Sequence, residues 1–262
     1  VFLATKFANT FHPDGTRSIR GDAQYVREAC AKSLQRLGLN SVDLYYAHRI
    51  DKKVPIEETM AALKELVQAG KIKYIGLSEC SSDTLRRAHA VHPVSAVQIE
   101  YSPFSLEIEH EEIGLLKTCR ELGVAIVCYS PLGRGILTGQ IKSPDDLEQN
   151  DFRRRMPRFS KENFEKNLQL VDTLTSLAKK KGCTTGQLTL AWVLAQGDDF
   201  IPIPGTTKTK NLEENVAAAQ IQLSKDEVEE IRQACKKADI AGERYPKEMS
   251  ATLFGDSAPK KD

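Results

Sequence analysis

No run of 18 or more apolar residues occurs in the 262 residues, and no charged-then-apolar leader opens the chain, so neither a membrane span nor a secretory signal is legible. C-x-x-C pairs are missing too. The six cysteines, at 30, 80, 119, 128, 183 and 235, are scattered, and Cys30, Cys119 and Cys128 sit among apolar neighbours as small hydrophobes do. That usage fits a reducing, cytoplasmic compartment. Charge of one sign is lacking, since 37 Lys and Arg face 36 Asp and Glu; nothing calls for nucleic acid or an anionic membrane. The one dense basic cluster, Arg153, Arg154 and Arg155, reads as a solvated loop with no nucleic-acid reader motif beside it. His89 and His92 share a helix face, but Pro93 follows at once and no third ligand is near, so no metal site is expected. A G-x-G-x-x-G turn after the first strand is also absent, which argues against a doubly wound dinucleotide fold.

What is present is a regular alternation of strands and helices, at a length suited to one large domain spanning residues 1–262. Val1 to Thr5 read as a strand ending at Lys6, and a loop with Pro13, Asp14 and Gly15 follows. Asp22 caps a helix to Leu37 with Gly38 as its stop, and Val42 to Ala47 read as a buried strand that turns polar at His48. Pro55 and Ile56 open a helix through Ala69, and Ile72 to Leu77 form a strand that exits at Ser78 and Glu79. Helix from Ser81 or Ser82 to Val91, strand from Ala96 to Ile99, helix from Glu107 to Leu122 and strand from Val124 to Cys128 follow in turn. Gly133 to Lys161 break the rhythm as a long loop of the kind that often lines a binding site. Helices then span Asn163 to Lys181 and Thr185 to Ala195, before a strand over Phe200 to Ile203 and a helix over Lys210 to Ala219. Ser224, with Glu227 three residues on, caps a last helix. The tail from Glu243 to Asp262 is polar, rich in turn formers and expected to be loosely held.

Six strands, each followed by a helix across connections too long for hairpins, predict an α/β fold with a parallel sheet. Because the first strand is already under way at Val1, the expectation is an eight-stranded (β/α)8 TIM barrel whose first two strands are absent from this chain. In such a barrel the C-terminal ends of strands face the active site, which makes His48 the first candidate for chemistry.

The segments LATKF, VDLYYAHRID, IKYIGLSE, VQIEYSPF, YSPLGRGILTG and IPIPGTTKTKNLEEN fall in that order at barrel-unit spacing. Together they resemble the aldo-keto reductases, and more narrowly the plant perakine reductase and auxin-induced-type group. The resemblance implies NADPH-dependent reduction of an aldehyde or ketone by hydride transfer, with a tetrad of aspartate, tyrosine, lysine and histidine. Lys6 matches the lysine and His48 the histidine. The other two members lie upstream of the strand that opens this chain, and Tyr45 and Tyr46, inside the strand before His48, do not obviously replace the tyrosine. Negligible reductase activity is therefore expected of these residues alone.

The same resemblance assigns cofactor contacts. Ser78, Gln98 and Tyr129 match the positions that hold the nicotinamide, and Glu79 stands where many relatives carry asparagine. Ser130, Leu132, Gly133 and Arg134 match the loop beneath the pyrophosphate. Gly205, Thr206, Thr207 and Lys208 lead into a helix that receives the adenosine 2′-phosphate, and Glu214 and Asn215 match the pair on the adenine amino group. Many relatives carry lysine at Gly205 and arginine at Asn211. The rival implied by the same motifs is a channel β-subunit-like docking protein of the same fold.

Overall fold

The computed structural model describes residues 1–260. The chain runs through β1 (Ala4–Phe7), β2 (Asn9–Phe11), β3 (Arg17–Ile19), α1 (Ala23–Leu37), β4 (Val42–Ala47), α2 (Ile56–Gln68), β5 (Ile72–Ser78), α3 (Ser82–Val91), β6 (Ala96–Glu100) and α4 (Leu115–Leu122). It continues through β7 (Ala125–Tyr129), α5 (Lys161–Lys181), α6 (Thr185–Leu194), β8 (Phe200–Pro202), α7 (Thr209–Ala217), α8 (Lys225–Lys237) and α9 (Lys247–Ser250). The described residues group into two compact units, one of 1–99, 108–126 and 251–260, the other of 100–107 and 127–250.

In the first unit β1 pairs with β4, β4 with β5 and β5 with β6, all parallel, as the alternation predicts. Helix α1 shows why the sequence was readable here. The Asp22 side chain accepts from Tyr25 N–H at its start, Gly38 takes a left-handed φ of 66° at its end, and Val26, Cys30 and Leu34 form its buried face. Burial of such a face contributes about 1.5–3 kcal/mol for each large aliphatic side chain. Strand β4 is buried along nearly its whole length, as a strand covered on both faces must be. Its pairing with β5 places Tyr46 opposite Gly76, and a Cβ on Gly76 would lie 2.4 Å from the Tyr46 ring.

Two expectations fail in this unit. The stretch after β1 is no plain loop, because β2 and β3 pair antiparallel around a turn in which Asp14 Oδ1 accepts from Thr16 and Gly15 has a φ of 81°. The predicted helix from Glu107 to Leu122 is in fact a 3-10 turn, Glu107–Glu109, and the separate helix α4. Gly114, at φ 60°, turns the chain between them.

In the second unit Ile203 N–H donates to the Cys128 carbonyl, joining the exit of β8 to β7. Trp192 of α6 stacks on Tyr101 at 5.9 Å between ring centres, and Phe200 tilts against Tyr101 at 4.8 Å. The long loop is built from four 3-10 turns, Gly133–Thr138, Pro144–Asp146, Phe152–Arg155 and Pro157–Phe159.

Its arginine run does not read as a simple solvated patch. Arg153 chelates Asp151 and donates to the Arg134 carbonyl at 2.8 Å, and Arg154 donates to the Leu147 carbonyl at 2.6 Å. The guanidiniums satisfy carbonyls that a loop without regular ladders leaves open. The tail expected to be loose is also tied down. In the second unit Arg244 is buried and α9 follows. In the first unit Gly255 N–H donates to the Glu79 carbonyl at 2.7 Å, Ser257 N–H to Thr84 Oγ1 and Arg87 Nη2 to the Ala258 carbonyl. Residues 261 and 262 of that expectation lie outside the described residues. Among the described residues no helix is long and apolar enough to cross a membrane, and no cluster of metal-ligating side chains occurs.

Candidate active site

One group of candidate residues is assembled in the first unit. Lys6 lies inside β1, opposite Tyr46 of β4, and not at the strand's exit as the sequence suggested. His48 follows β4 directly, and its backbone N–H donates to the Phe7 carbonyl at 3.0 Å. Asn9 Nδ2 donates to His48 Nδ1 at 3.1 Å. With Nδ1 accepting, a neutral imidazole carries its proton on Nε2, the other edge of the ring. The neutral state is the stable one here: burial first, then the Arg49 and Lys6 cations, push the His48 pKa down to about 4. Burial and Arg49 also lower the Lys6 pKa. Sequence reasoning missed Asn9, although a polar residue three positions beyond Lys6 was a signal.

Ser78 ends β5, opposite Gln98 of β6. Its Oγ is buried, with 1% of the residue exposed, and has no hydrogen-bond partner among the described residues. A buried hydroxyl left this way costs about 1–3 kcal/mol unless something arrives to pair with it. Tyr46 is no open proton donor. Burial pushes its phenol up to about 12, against a hydrogen bond to Gln98 that pulls the other way. Glu79, in a left-handed φ of 51°, accepts from Phe254 N–H at 3.4 Å, so its carboxylate is turned to the tail.

The other group lies in the second unit around a cavity of about 570 Å³. The cavity gathers Ser130, Leu132 and Arg134 from the loop after β7, Gly205, Thr206 and Lys208 from the turn after β8, and Glu214 and Asn215 from α7. Tyr129, Gly133 and Thr207 are not among its lining residues. Ser130, Gly133, Arg134 and Gly135 all have positive φ, which coils the loop tightly against the cavity. Lys208 precedes α7 with no side-chain cap on the helix and no acidic residue in its first turn. Such an end presents free N–H groups and a positive dipole end to an anion. Glu214 is oriented by Thr184, whose Oγ1 donates to its Oε1 at 2.7 Å.

The Arg134 side chain is engaged within the protein. Its Nη2 lies 3.0 Å from Glu100 Oε2 and its Nη1 donates to the Arg244 carbonyl at 2.7 Å, because a buried carboxylate attracts the nearest guanidinium. Sequence reasoning missed Arg153 and Gly186, which also line the cavity.

Each group, taken by itself, fits a part of a phosphorylated dinucleotide: the buried Ser78 hydroxyl of the first unit suits a carboxamide, and the uncapped start of α7 beside Lys208 in the second suits a phosphate. The sequence matches the family model described as Aldo/keto reductase family over residues 1–236. It is 55% identical over 260 residues, 99% of this chain and 76% of the relative, to the Schizosaccharomyces pombe protein named aldo-keto reductase yakc, NADP(+). It is 59% identical over 254 residues, 97% of this chain and 74% of the relative, to aldo-keto reductase str7 of Strobilurus tenacellus. Both are fungal, so the narrower likeness to the plant group rests on the motifs alone.

Among solved structures, the glycerol dehydrogenase AKR11B4 from Gluconobacter oxydans is similar with a TM-score of 0.83 and 27% identity, over 92% of this chain and 73% of that one. The thermostable aldo-keto reductase Tm1743, solved with the inhibitor epalrestat, gives 0.68 and 28%, over 89% and 71%. With the family model running from the first strand into α8 and two relatives above half identity, the chain belongs to the aldo/keto reductase family.

Proposed function

We propose that the chain is an NADP(H)-dependent oxidoreductase that reduces a small aldehyde or ketone to the alcohol. The observation that carries this reading is His48, neutral, set by Asn9 with its proton on Nε2 and standing beside the half-buried Lys6. A carbonyl accepting hydride develops negative charge on oxygen, and a preorganised N–H donor in a partly dry site stabilises that charge more than water does. NADPH, when bound, supplies the hydride.

The chain's residues do the binding and orienting. Lys208 and the first turn of α7 hold the 2′-phosphate, which distinguishes NADPH from NADH. Glu214, with one oxygen held by Thr184, and Asn215 take the adenine amino group. Ser78 and Gln98 offer polar groups to the carboxamide, and Tyr129 offers a ring face. Arg134, Gly133, Leu132 and Ser130 shape the pyrophosphate loop, and Gly205, Thr206 and Thr207 form the turn into α7. Tyr46 does not take the proton-donor role, given its buried phenol.

Fluorescence titration of the 262-residue chain with NADPH and NADH, followed by an assay of carbonyl-dependent NADPH oxidation, tests this. NADPH is expected to bind the more tightly and to be oxidised when a small aldehyde or ketone is added. Equal affinity for the two nucleotides, or none for either, would overturn the reading.

A further inference from the structure

The second unit holds a buried group of charges that the proposed reaction does not use. Glu100, 2% exposed in its side chain, faces Arg134 Nη2 at 3.0 Å and Arg244 Nη1 at 3.8 Å. Glu107 Oε1 lies 3.6 Å from Arg244 Nε and 3.5 Å from Arg158 Nη2. Burial pushes the Glu100 carboxyl up while Arg134, Arg244 and Arg158 pull it back. Next to this group the Arg134 guanidinium lies over the Tyr245 ring, 4.5 Å from its centre. The Tyr245 hydroxyl in turn donates to the Tyr129 hydroxyl at 3.3 Å.

Arg134 is not glycine, yet its φ is 58°, a conformation that costs a branched-at-Cβ-free L residue about 1–2 kcal/mol. What holds it there is its side chain, fixed by Glu100, by the Arg244 carbonyl and by the Tyr245 ring. Its own carbonyl is taken by Arg153. Arg134 also lines the cavity. The shape of that wall is thus set by two residues some 110 positions later in the chain. Tyr245 touches both the loop, through Arg134, and the end of β7, through Tyr129.

We propose that Arg244 and Tyr245 are positioning residues for the dinucleotide, a latch that fixes the Tyr129 ring and the loop from Ser130 to Gly135. This rests on the cofactor reading above. The latch acts on the pyrophosphate and nicotinamide portion and leaves the end held by Lys208, Glu214 and Asn215 alone.

The test compares the intact chain with Tyr245→Ala and Tyr245→Phe. Titration with NADPH is expected to show affinity weakened about tenfold in the alanine variant, and about threefold in the phenylalanine variant, which keeps a ring for Arg134 but loses the hydroxyl. Titration with adenosine 2′-monophosphate, which carries the adenine and the 2′-phosphate but no part of the pyrophosphate, is expected to be unchanged in both. Equal weakening of the two ligands, or no weakening of either, overturns the latch. Hydrogen exchange without nucleotide gives a second readout: amides 133–137 are expected to exchange faster in Tyr245→Ala while those of α5 and α6 do not. Unchanged exchange at 133–137 overturns the proposal as well. Should the unaltered chain bind neither nucleotide, the cofactor reading falls, and the exchange comparison still decides whether the latch exists.

Discussion

His48 is expected to resist protonation to about pH 4, and this makes the stability of the first unit depend on pH in a defined direction. An unfolded histidine takes up its proton near pH 6.5. Below that value the unfolded chain binds a proton that the folded chain refuses, so stability falls as pH falls from about 6.5 to about 4 and then levels off. At about 1.4 kcal/mol for each tenfold in proton affinity, a wholly buried ring would lose about 3 kcal/mol; solvent screening of the part-exposed His48 ring brings that to about 2 kcal/mol, most of it spent by pH 4.5. The direct assay follows the His48 ring resonance by NMR from pH 7 to pH 3.5. The energetic assay compares urea unfolding at pH 7 and pH 4.5 for the unaltered chain and for His48→Gln, which keeps a polar side chain and cannot titrate. The glutamine variant should lose less stability on acidification by about the amount given. A ring that titrates near pH 6.5, or an acid-induced loss of the same size in His48→Gln, would refute the reasoning and remove the neutral donor from the proposed chemistry.

Three further perturbations have expected outcomes. Gly76→Ala places a methyl 2.4 Å from the Tyr46 ring in a closely packed sheet, and should lower the unfolding free energy by about 3 kcal/mol, read as a shift in urea midpoint. Lys208→Ala removes the charge beside the uncapped end of α7 and should weaken NADPH about tenfold while leaving NADH as it was, measured by parallel titrations. Ser224→Ala breaks the capping box with Glu227 and should cost about 1 kcal/mol with no change in nucleotide binding.

How much of this was legible in the sequence depends on how far apart the interacting residues lie. Asp22, Gly38 and the Ser224–Glu227 box act within a few positions of one another, and helices α1 and α8 begin and end where those residues say. His48 was legible because a buried strand turned polar at one point. Gly114 was misread, since a lone glycine inside a helical pattern gives no sign that the chain turns left-handed there. Asn9 and His48 are 39 positions apart, and only the pairing of β1 with β4 brings them together. The pairing of Arg134 with Glu100, 34 positions upstream, leaves no local trace in the sequence. Arg153 and Arg154 were assigned to solvent because their acceptors are mostly main-chain carbonyls, which a sequence never displays. The tail differs from expectation for a related reason: the main-chain groups of Gly255, Ser257 and Ala258 tie it down, and its Arg244 and Tyr245 side chains meet partners more than 100 positions away.

That tail has a consequence for how the chain is made. Gly255 N–H donates to the carbonyl of the left-handed Glu79 and the Gly255 carbonyl accepts from Ser81 N–H, and Ser257 reaches back 173 positions to Thr84. Closing so long a loop is slow and entropically costly, and its cost grows with the logarithm of its length. A ribosome emits the chain from its N-terminus, so β5 and α3 leave the exit tunnel long before their last partners exist. During that interval the Glu79 carbonyl and the Ser81 N–H lack the Gly255 groups that pair with them in the finished chain. The first unit therefore reaches its final hydrogen bonding only after synthesis has passed Ala258.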